Sequence, residues 1–347
     1  MDSDSVDSAD LHPQKLPEGG VHGIQDTAPG RQQSIRQRGL ATPAKVPESS
    51  RPATFNVRLP GPLDVAKSLQ IFRRGGDDLL DRWNGVRLLR TLQVPSGAVA
   101  FACVPVGTLE QPSLQVTVET PEFIDVVESA VRASFVVAPP EYADLLKIDP
   151  IVARLEAAFP GLRPVRQLDL LTALIRCISS QQVNLNWAAT MRRRLAEAFG
   201  ERHLVDGEVV YSLSAERLAS ADRAEIRALQ FTSRKAECIV RVAEAVASGR
   251  LTLEGLAALP DEEVISRLTA IRGIGLWTAE WVLARTLGRP RVVAGDLGVR
   301  RAVGHAYLGR ATPSENEVRA ATAHWGRAAG VAQQLLLNGY VCGALGA

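Results

Sequence analysis

The spacing of apolar and polar residues divides the chain into three stretches. Residues 1–53 contain no Phe, Tyr or Trp and are rich in Ser, Asp, Gln, Gly and Pro, with scattered charges of both signs. Such a segment lacks the apolar surface that would offset the entropy lost when a chain becomes ordered. The pattern therefore predicts a disordered tail over residues 1–53, to which we assign no function.

An alternation of apolar and polar residues typical of a strand begins at Phe55, immediately after this tail. A segment with helical spacing and two further strand-like runs follow, separated by turns that contain Pro and Gly. The four elements cover residues 55–59, 63–72, 97–106 and 113–119. This order predicts a small α+β domain over residues 54–138.

Apolar residues then recur at helical spacing almost throughout residues 139–347, which predicts an all-α second domain. A strongly apolar helix over 168–178 is followed by the polar run Ser-Ser-Gln-Gln-Val-Asn at 179–184, and by another helix over 185–199. On this pattern alone the break is an ordinary turn between helices. The predicted fold class is therefore α+β, with a small mixed domain ahead of a mostly helical one.

A tight hairpin, Arg272-Gly273-Ile274-Gly275, separates two helices in the second domain. Glycines at these positions permit positive φ and a close approach of the backbone to another molecule. The following helix is predicted to run from Leu276 to about Leu287, because Gly288 suits the position after a helix and Pro290 cannot continue it. Its free N–H groups and positive dipole end would face a bound anion, most simply a phosphate.

The charge near the hairpin agrees with an anionic partner. Between Leu268 and Arg310 there are seven arginines against Glu280 and Asp296, whereas the whole chain has a net charge of only +2. A local basic surface beside free N–H groups favours a polyanion such as the DNA backbone. Ser233-Arg234-Lys235, at the start of another predicted helix, could also touch a phosphate.

Asp296 precedes the next predicted helix, so it is either the N-cap of that helix or a carboxylate held for catalysis opposite the hairpin. Trp277 and Trp281 lie four residues apart and therefore share one helix face. They are either core residues or walls of a pocket for a flat aromatic ligand, and their spacing alone favours the core.

Composition excludes several other classes of protein. Hydrophobic residues make up 46% of the chain, and the mean hydropathy is +0.01. No apolar run approaches the roughly 20 residues that span a bilayer, and no secretory signal is visible, so we expect a cytoplasmic protein that associates with the nucleoid. The four cysteines are far apart and form no C-x-x-C, which argues against a disulfide framework, a zinc site or an iron–sulfur cluster.

These residues together resemble a known family. The sequence G-I-G-L-W-T-A from Gly273, the Gly288/Pro290 loop and an Asp twenty-one residues after Gly275 are similar to the helix-hairpin-helix Gly/Pro–Asp (HhH-GPD) superfamily of DNA base-excision glycosylases. Within it, the resemblance is greatest to the branch of DNA-3-methyladenine glycosylase II. The branch has an N-terminal α+β domain like half of a TATA-binding-protein fold, which we expect to support the helical domain.

The resemblance implies a role for each matching residue. Asp296 becomes the catalytic carboxylate, and Trp277 and Trp281 become walls of the base pocket. Because a second branch has a nucleophilic Lys at the position of Trp277, the resemblance implies a monofunctional enzyme that uses water and no cofactor. The residues implied to contact DNA are Gln181, Gln182, Arg272, Gly273, Ile274, Gly275 and Thr278. The resemblance also allows a monovalent cation bound by the carbonyl oxygens of Thr269, Ile271 and Gly273.

The implied function is hydrolytic removal of alkylated bases, of the 3-methyladenine and 7-methylguanine class, from double-stranded DNA by a monomer. Relatives often have Leu where this chain has Gln182, and Trp-x-Pro where Trp325 is followed by Gly326-Arg327. Two other functions stay open. The protein could be a glycosylase for another damaged base, or a non-catalytic helix-hairpin-helix protein that only binds the DNA backbone.

Overall fold

A computed structural model describes residues 51–345, which fall within one compact unit. The predicted disordered tail lies outside the described residues except for its last three, and Ala53 already belongs to the first strand. No helix within 51–345 has the length and apolar character needed to cross a bilayer. The predicted domain boundary at residue 138 stays a prediction, because this compact unit includes both sides of it.

The N-terminal part is built on a five-stranded antiparallel sheet. Its strands are β1 (Ala53–Arg58), β2 (Arg82–Trp83), β3 (Leu88–Val94), β4 (Gly97–Gly107) and β5 (Pro112–Val118), in the order β1-β5-β4-β3-β2. Three of these match the predicted strands within two residues. The short β2 and the strand β3 were not predicted, and β3 completes a meander by pairing with β4 over its whole length.

Each face of this sheet is covered by a different part of the chain. Side chains that alternate along β4, including Phe101 and Cys103, pack with the helices α1 (Val65–Leu69) and α2 (Ile124–Arg132). The intervening Ala100 and Ala102 pack against Val205 and Val210.

Val205 and Val210 belong to an antiparallel hairpin of β6 (Gly200–Val205) and β7 (Glu208–Leu213). The prediction of an all-α segment from residue 139 is therefore wrong over residues 200–213. Asp206-Gly207, both with positive φ, form the turn, and this dipeptide between alternating apolar residues is a hairpin signal in the sequence. The hairpin exists because it buries the second face of the sheet.

Helices make up most of the remaining chain. They are α3 (Tyr142–Ile148), α4 (Pro150–Ala158), α5 (Leu170–Ser180), α6 (Leu185–Phe199), α7 (Ala215–Ala219), α8 (Arg223–Ala228), α9 (Ser233–Ala247), α10 (Leu253–Ala257), α11 (Asp261–Thr269), α12 (Leu276–Arg285), α13 (Leu297–Val303), α14 (Glu315–Thr322) and α15 (Ala329–Val341). Apolar residues of α5, α6, α9, α11 and α12 share one core, and those of α4, α13 and α15 share another. The hairpin and Asp296 lie at ends of helices from these two cores.

A buried ion network joins the sheet to the helices. Asp78 and Asp81, just before β2, accept charged hydrogen bonds of 2.6 and 2.9 Å from Arg176 of α5. Arg192 of α6 binds Asp78 at 2.7 Å, and Arg90 of β3 binds Asp81 at 2.6 Å. Removing one partner of such a buried pair leaves an uncompensated charge. The network therefore fixes α5 and α6, and with them the polar loop between these helices, against the N-terminal sheet.

Candidate active site and DNA-binding face

The hairpin between α11 and α12 contains one glycine that its backbone requires and one that it does not. Gly273 has φ +105°, and a Cβ at this position would lie 2.8 Å from Cys238 Sγ of α9. Gly275 has φ −105° and ψ 178°, which other residues also adopt, and a Cβ there would meet open space. The expectation of positive φ is therefore met at Gly273 but not at Gly275, whose missing side chain leaves the backbone open to an approaching molecule.

Gly275 is the N-cap of α12 and makes no side-chain capping bond, so the first N–H groups of this ten-residue helix have no side-chain acceptor. Arg272 is exposed beside them. Ile274 is only 5% exposed and anchors the hairpin in the core, and Thr278 is 1% exposed. Burial keeps both side chains away from the surface, so contact of Ile274 or Thr278 with DNA through backbone groups stays a prediction.

The α5–α6 loop (residues 181–184) lies against this hairpin. The side-chain Nε2 of Gln181 donates to the carbonyl oxygen of Gly273 at 3.4 Å. Gln182 is exposed and has φ +55°, so it stands at the tip of the loop. Asn184 then caps α6 by accepting from Trp187 N at 2.8 Å. The structure thus brings together the two segments that the sequence singled out for DNA contact.

The carbonyl oxygens considered for a monovalent cation are partly used already. That of Ile271 accepts from Ile274 N at 2.9 Å, and that of Gly273 accepts from Gln181. A carbonyl oxygen has two lone pairs, so each could still bind an ion. A cation at these oxygens and that of Thr269 stays a prediction.

Asp296 is the N-cap of α13, and both of its carboxylate oxygens have a partner. Oδ1 accepts from Val299 N at 3.0 Å, and Oδ2 accepts from the indole Nε1 of Trp277 at 3.2 Å. The two alternatives for Asp296 are therefore not exclusive, since one oxygen caps the helix while the other faces α12. The side chain is partly exposed, and each oxygen keeps a lone pair for another donor.

Trp277 and Trp281 lie on one face of α12, and this face continues to Arg285. Both indoles are partly exposed, and neither belongs to an apolar core cluster of the described residues. This placement favours the pocket interpretation over the core that their spacing suggested. Burial lowers the pKa of Arg285 to about 10, although the nearby Asp296 raises it and Arg74 lowers it further. Arg285 was not predicted as a site residue from the sequence. Its position eight residues after Trp277 could have indicated that it lies on the same helix face.

A second group of contacts holds the segment that leads to Asp296. The carboxylate of Glu280 on α12 is completely buried, and its Oε1 accepts from Arg291 at 3.0 Å and from Arg319 of α14 at 2.8 Å. Val293 N donates to Oε1 of Gln333, on α15, at 2.8 Å. The segment before Asp296 is thus held by α12, α14 and α15 at once, through partners that are distant in sequence.

The arginine excess near the hairpin is only partly a DNA-binding surface. Arg289, Arg291 and Arg310 form ion pairs, with Asp261, Glu280 and Glu317. Arg300 donates to the carbonyl oxygen of Pro313. Among the seven, Arg272 and Arg301 are exposed without an ion pair in the described part of the chain. The count of charges overstated the basic surface, because arginine also serves as a structural donor.

Residues 175–328 match the HhH-GPD superfamily of base excision DNA repair proteins. These 154 residues, fewer than half of the 347, are what the chain shares with this superfamily. The match begins within α5, ends before α15 and includes the α5–α6 loop, the hairpin and Asp296. It does not include the N-terminal sheet.

The comparisons with individual proteins extend this result. A DNA-3-methyladenine glycosylase of Bacillus subtilis (strain 168) is 29% identical over 186 residues, which are 53% of this chain and 61% of that protein. The chain spans about half to three fifths of the length of three curated relatives that it matches, this one included.

Two solved structures resemble the fold. A 3-methyladenine DNA-glycosylase from Archaeoglobus fulgidus has a TM-score of 0.73 at 24% identity, over 83% of this chain and 98% of its own. The 3-methyladenine DNA glycosylase Mag1 of Schizosaccharomyces pombe, in complex with abasic DNA, has a TM-score of 0.50 at 27% identity, over 56% and 94%. The HhH-GPD match, the first superposition and the five-stranded sheet together confirm the predicted α+β fold class.

Proposed function

We propose that this chain is a monofunctional DNA glycosylase that removes alkylated purines, of the 3-methyladenine and 7-methylguanine class, in base-excision repair. It acts as a monomer on double-stranded DNA in the cytoplasm, associated with the nucleoid. Asp296 is its catalytic carboxylate, and Trp277 and Trp281 line the pocket for the extruded base. The relatives named as DNA-3-methyladenine glycosylases support the substrate class.

The contact between Asp296 and Trp277 carries the proposal. An aromatic ring suited to stacking on a base lies in direct hydrogen-bonding contact with a partly exposed carboxylate. Cleavage of the N-glycosidic bond places positive charge on the sugar ring, and a carboxylate held nearby stabilises that charge. Electron-poor alkylated purines carry positive charge themselves, which favours stacking on an indole face.

The reaction begins when the damaged nucleotide leaves the base stack, at a cost of roughly a few kcal/mol. Gln182, at the exposed tip of the α5–α6 loop, is placed to fill the gap that the base leaves. The hairpin holds the DNA backbone through N–H groups of α12 and through Arg272. Such contacts carry no sequence information, as suits an enzyme that inspects any sequence.

Hydrolysis follows at the sugar. The carboxylate of Asp296 stabilises the oxocarbenium-like transition state and orients the water that attacks C1′. Trp277 occupies the position of the nucleophilic Lys in the other branch, and the indole forms no Schiff base. The products are a free base and an intact strand with an abasic site.

A base-release assay on methylated duplex DNA tests this function. We expect free 3-methyladenine and 7-methylguanine, together with abasic sites that break only after alkali, and no covalent adduct when borohydride is present. Efficient borohydride trapping would contradict the monofunctional assignment. Binding without release of any base would favour a non-catalytic DNA-binding protein, and release of only oxidised or deaminated bases would assign another substrate.

A further inference from the structure

Lys235 has an unusual environment for a lysine. It lies in the first turn of α9 and is 7% exposed. Its Nζ donates to the carbonyl oxygens of Ser179 and Gln181 at 2.9 and 2.8 Å. Burial lowers the pKa of this ammonium group. It therefore cannot touch a DNA phosphate, which was one expectation for Ser233-Arg234-Lys235.

The two acceptors of Lys235 belong to the segment that enters the proposed DNA-binding face. Ser179 lies in the last turn of α5, and Gln181 is the C-cap residue that begins the α5–α6 loop. A cation is favourable at a helix C-terminus, where carbonyl oxygens lack partners and carry negative partial charge. Gln182, which follows directly, adopts φ +55°. Lys235 thus holds the backbone on the N-terminal side of the loop tip.

The same helix also supports the hairpin. Cys238 lies one turn after Lys235 on α9, and its Sγ is the atom that a Cβ at Gly273 would meet at 2.8 Å. The side chain of Gln181 then links the loop to Gly273 directly. One edge of α9 therefore contacts both the backbone just before the loop tip and the hairpin, which holds these two segments at a fixed distance.

We propose that Lys235 is a positioning residue for nucleotide extrusion, acting through the α5–α6 loop and Gln182. The inference rests on the proposed glycosylase function. The ammonium group orients two backbone carbonyls so that the tip of the loop is already in place when the hairpin grips the DNA. Without it, the loop must become ordered during extrusion, so the loss falls on extrusion and not on the bond-breaking step.

The test compares Lys235→Met with wild type on two duplexes that carry the same alkylated base. In one duplex the lesion is paired, and in the other it lies opposite an abasic site, where extrusion costs less. For the paired lesion we expect the single-turnover rate to fall roughly tenfold to a hundredfold, the range for charged hydrogen bonds. For the unpaired lesion we expect less than about a threefold loss.

Two controls make the result specific. Lys147→Met makes the same chemical change at an exposed lysine of α3, whose ion pair is with Asp144, and should leave both rates unchanged. In the double variant Lys235→Met/Gln182→Ala, the losses on the paired duplex should be less than additive, because both residues act through one loop. Lys235→Gln keeps a donor and gives the same comparison if the Met variant does not fold.

Equal losses on both duplexes, or no loss on either, would overturn the proposal. Additive losses in the double variant would also overturn it, since Lys235 would then act independently of the loop tip. If wild-type protein releases no base from either duplex, the proposed function fails instead. The two failures are therefore distinguishable.

Discussion

Two aspartates of this protein have nearly the same local surroundings. Asp149 is the N-cap of α4, and Asp296 is the N-cap of α13. In each, Oδ1 accepts from the backbone of the following helix, from two N–H groups for Asp149 and from one for Asp296. In each, Oδ2 also accepts from an indole Nε1 at 3.2 Å, that of Trp325 for Asp149 and that of Trp277 for Asp296.

The difference lies in what else reaches the carboxylate. Oδ2 of Asp149 lies 2.7 Å from the hydroxyl of Tyr307 and 2.8 Å from Nε2 of His324, and Asp149 is 2% exposed. Asp296 is partly exposed, and its carboxylate forms no further hydrogen bond with the described residues. A fully occupied carboxylate can only hold the fold together, whereas one with free lone pairs at the surface can act on a substrate.

The largest expected effect separates the two aspartates by activity. Asp296→Asn keeps the shape of the side chain but removes its charge. We expect base release to fall at least roughly a hundredfold to a thousandfold, as when one electrostatic stabiliser is removed from other enzymes. DNA affinity should stay within a few-fold, as a binding titration will measure. Near-normal turnover in this variant would remove Asp296 from the mechanism.

Asp149→Asn should show the opposite behaviour. The amide cannot accept all the donors around Asp149, so we expect roughly 2–3 kcal/mol less free energy of unfolding by denaturant titration. Base release per folded molecule should be unchanged. If the variant were as stable as wild type but inactive, the roles of the two aspartates would be reversed.

This difference in stability should depend on pH. Burial alone would raise the pKa of Asp149, but hydrogen bonds from Tyr307, Val152 N, His324 and Trp325 together lower it below its ordinary 3.8. A depressed native pKa contributes stability that is complete above the unfolded value and is lost as the pH falls through the native value. The advantage of wild type over Asp149→Asn should therefore be constant near neutral pH and shrink below about pH 4.

The indole N–H groups of Trp277 and Trp325 form equivalent hydrogen bonds to carboxylates. Substitutions of Trp277 can therefore separate the effect of its hydrogen bond from the effect of its stacking on the base. Trp277→Phe keeps an aromatic face but removes the donor to Asp296, and we expect roughly a three- to tenfold lower rate of base release. Trp277→Ala also removes the stacking of the ring on the base. Alanine substitutions of aromatic residues that stack on bases in other proteins cost about 1–3 kcal/mol, and we expect a further loss of this size. Equal rates for both variants would mean that the ring does not stack on the base.

The last comparison concerns the two hairpin glycines, and the several-fold effect expected at Gly275 is the smallest on DNA binding. Gly273→Ala should reduce stability by about 1–3 kcal/mol, because φ is +105° and the methyl would meet Cys238. Adding Cys238→Ala removes the contact with Sγ but leaves that with the Cβ of residue 238 at 2.9 Å and the backbone strain, so it should restore only part of that loss. Gly275→Ala should fold normally and weaken binding several-fold on all DNA sequences alike, by blocking close approach. A loss of affinity for only some DNA sequences would contradict binding of the hairpin to the DNA backbone.

Several features of this site could be predicted from the sequence because each depends only on neighbouring residues. The hairpin, the helix after Gly275 and the N-cap position of Asp296 all depend on residues within a few positions of one another. The turn at Asp206-Gly207 also has a local signal in the sequence, although β6 and β7 were not predicted.

Features that depend on distant partners could not be predicted from the sequence. Nothing near Thr278 or Ile274 indicates that these side chains face inward. The bonds that hold the segment before Asp296 join Glu280 to Arg319 and Val293 to Gln333, across 39 and 40 residues. Lys235 likewise reaches a loop more than 50 residues away, where its spacing suggested a phosphate contact.

The central claim is that the carboxylate of Asp296 stabilises positive charge at the sugar. The most direct measurement compares affinities for two duplexes with abasic-site analogues, one neutral and one with a protonated nitrogen in the sugar ring. Wild type and Asp149→Asn should prefer the cationic analogue by at least about tenfold, while Asp296→Asn should bind both within about twofold. A preference for the cation that survives in Asp296→Asn would contradict the account.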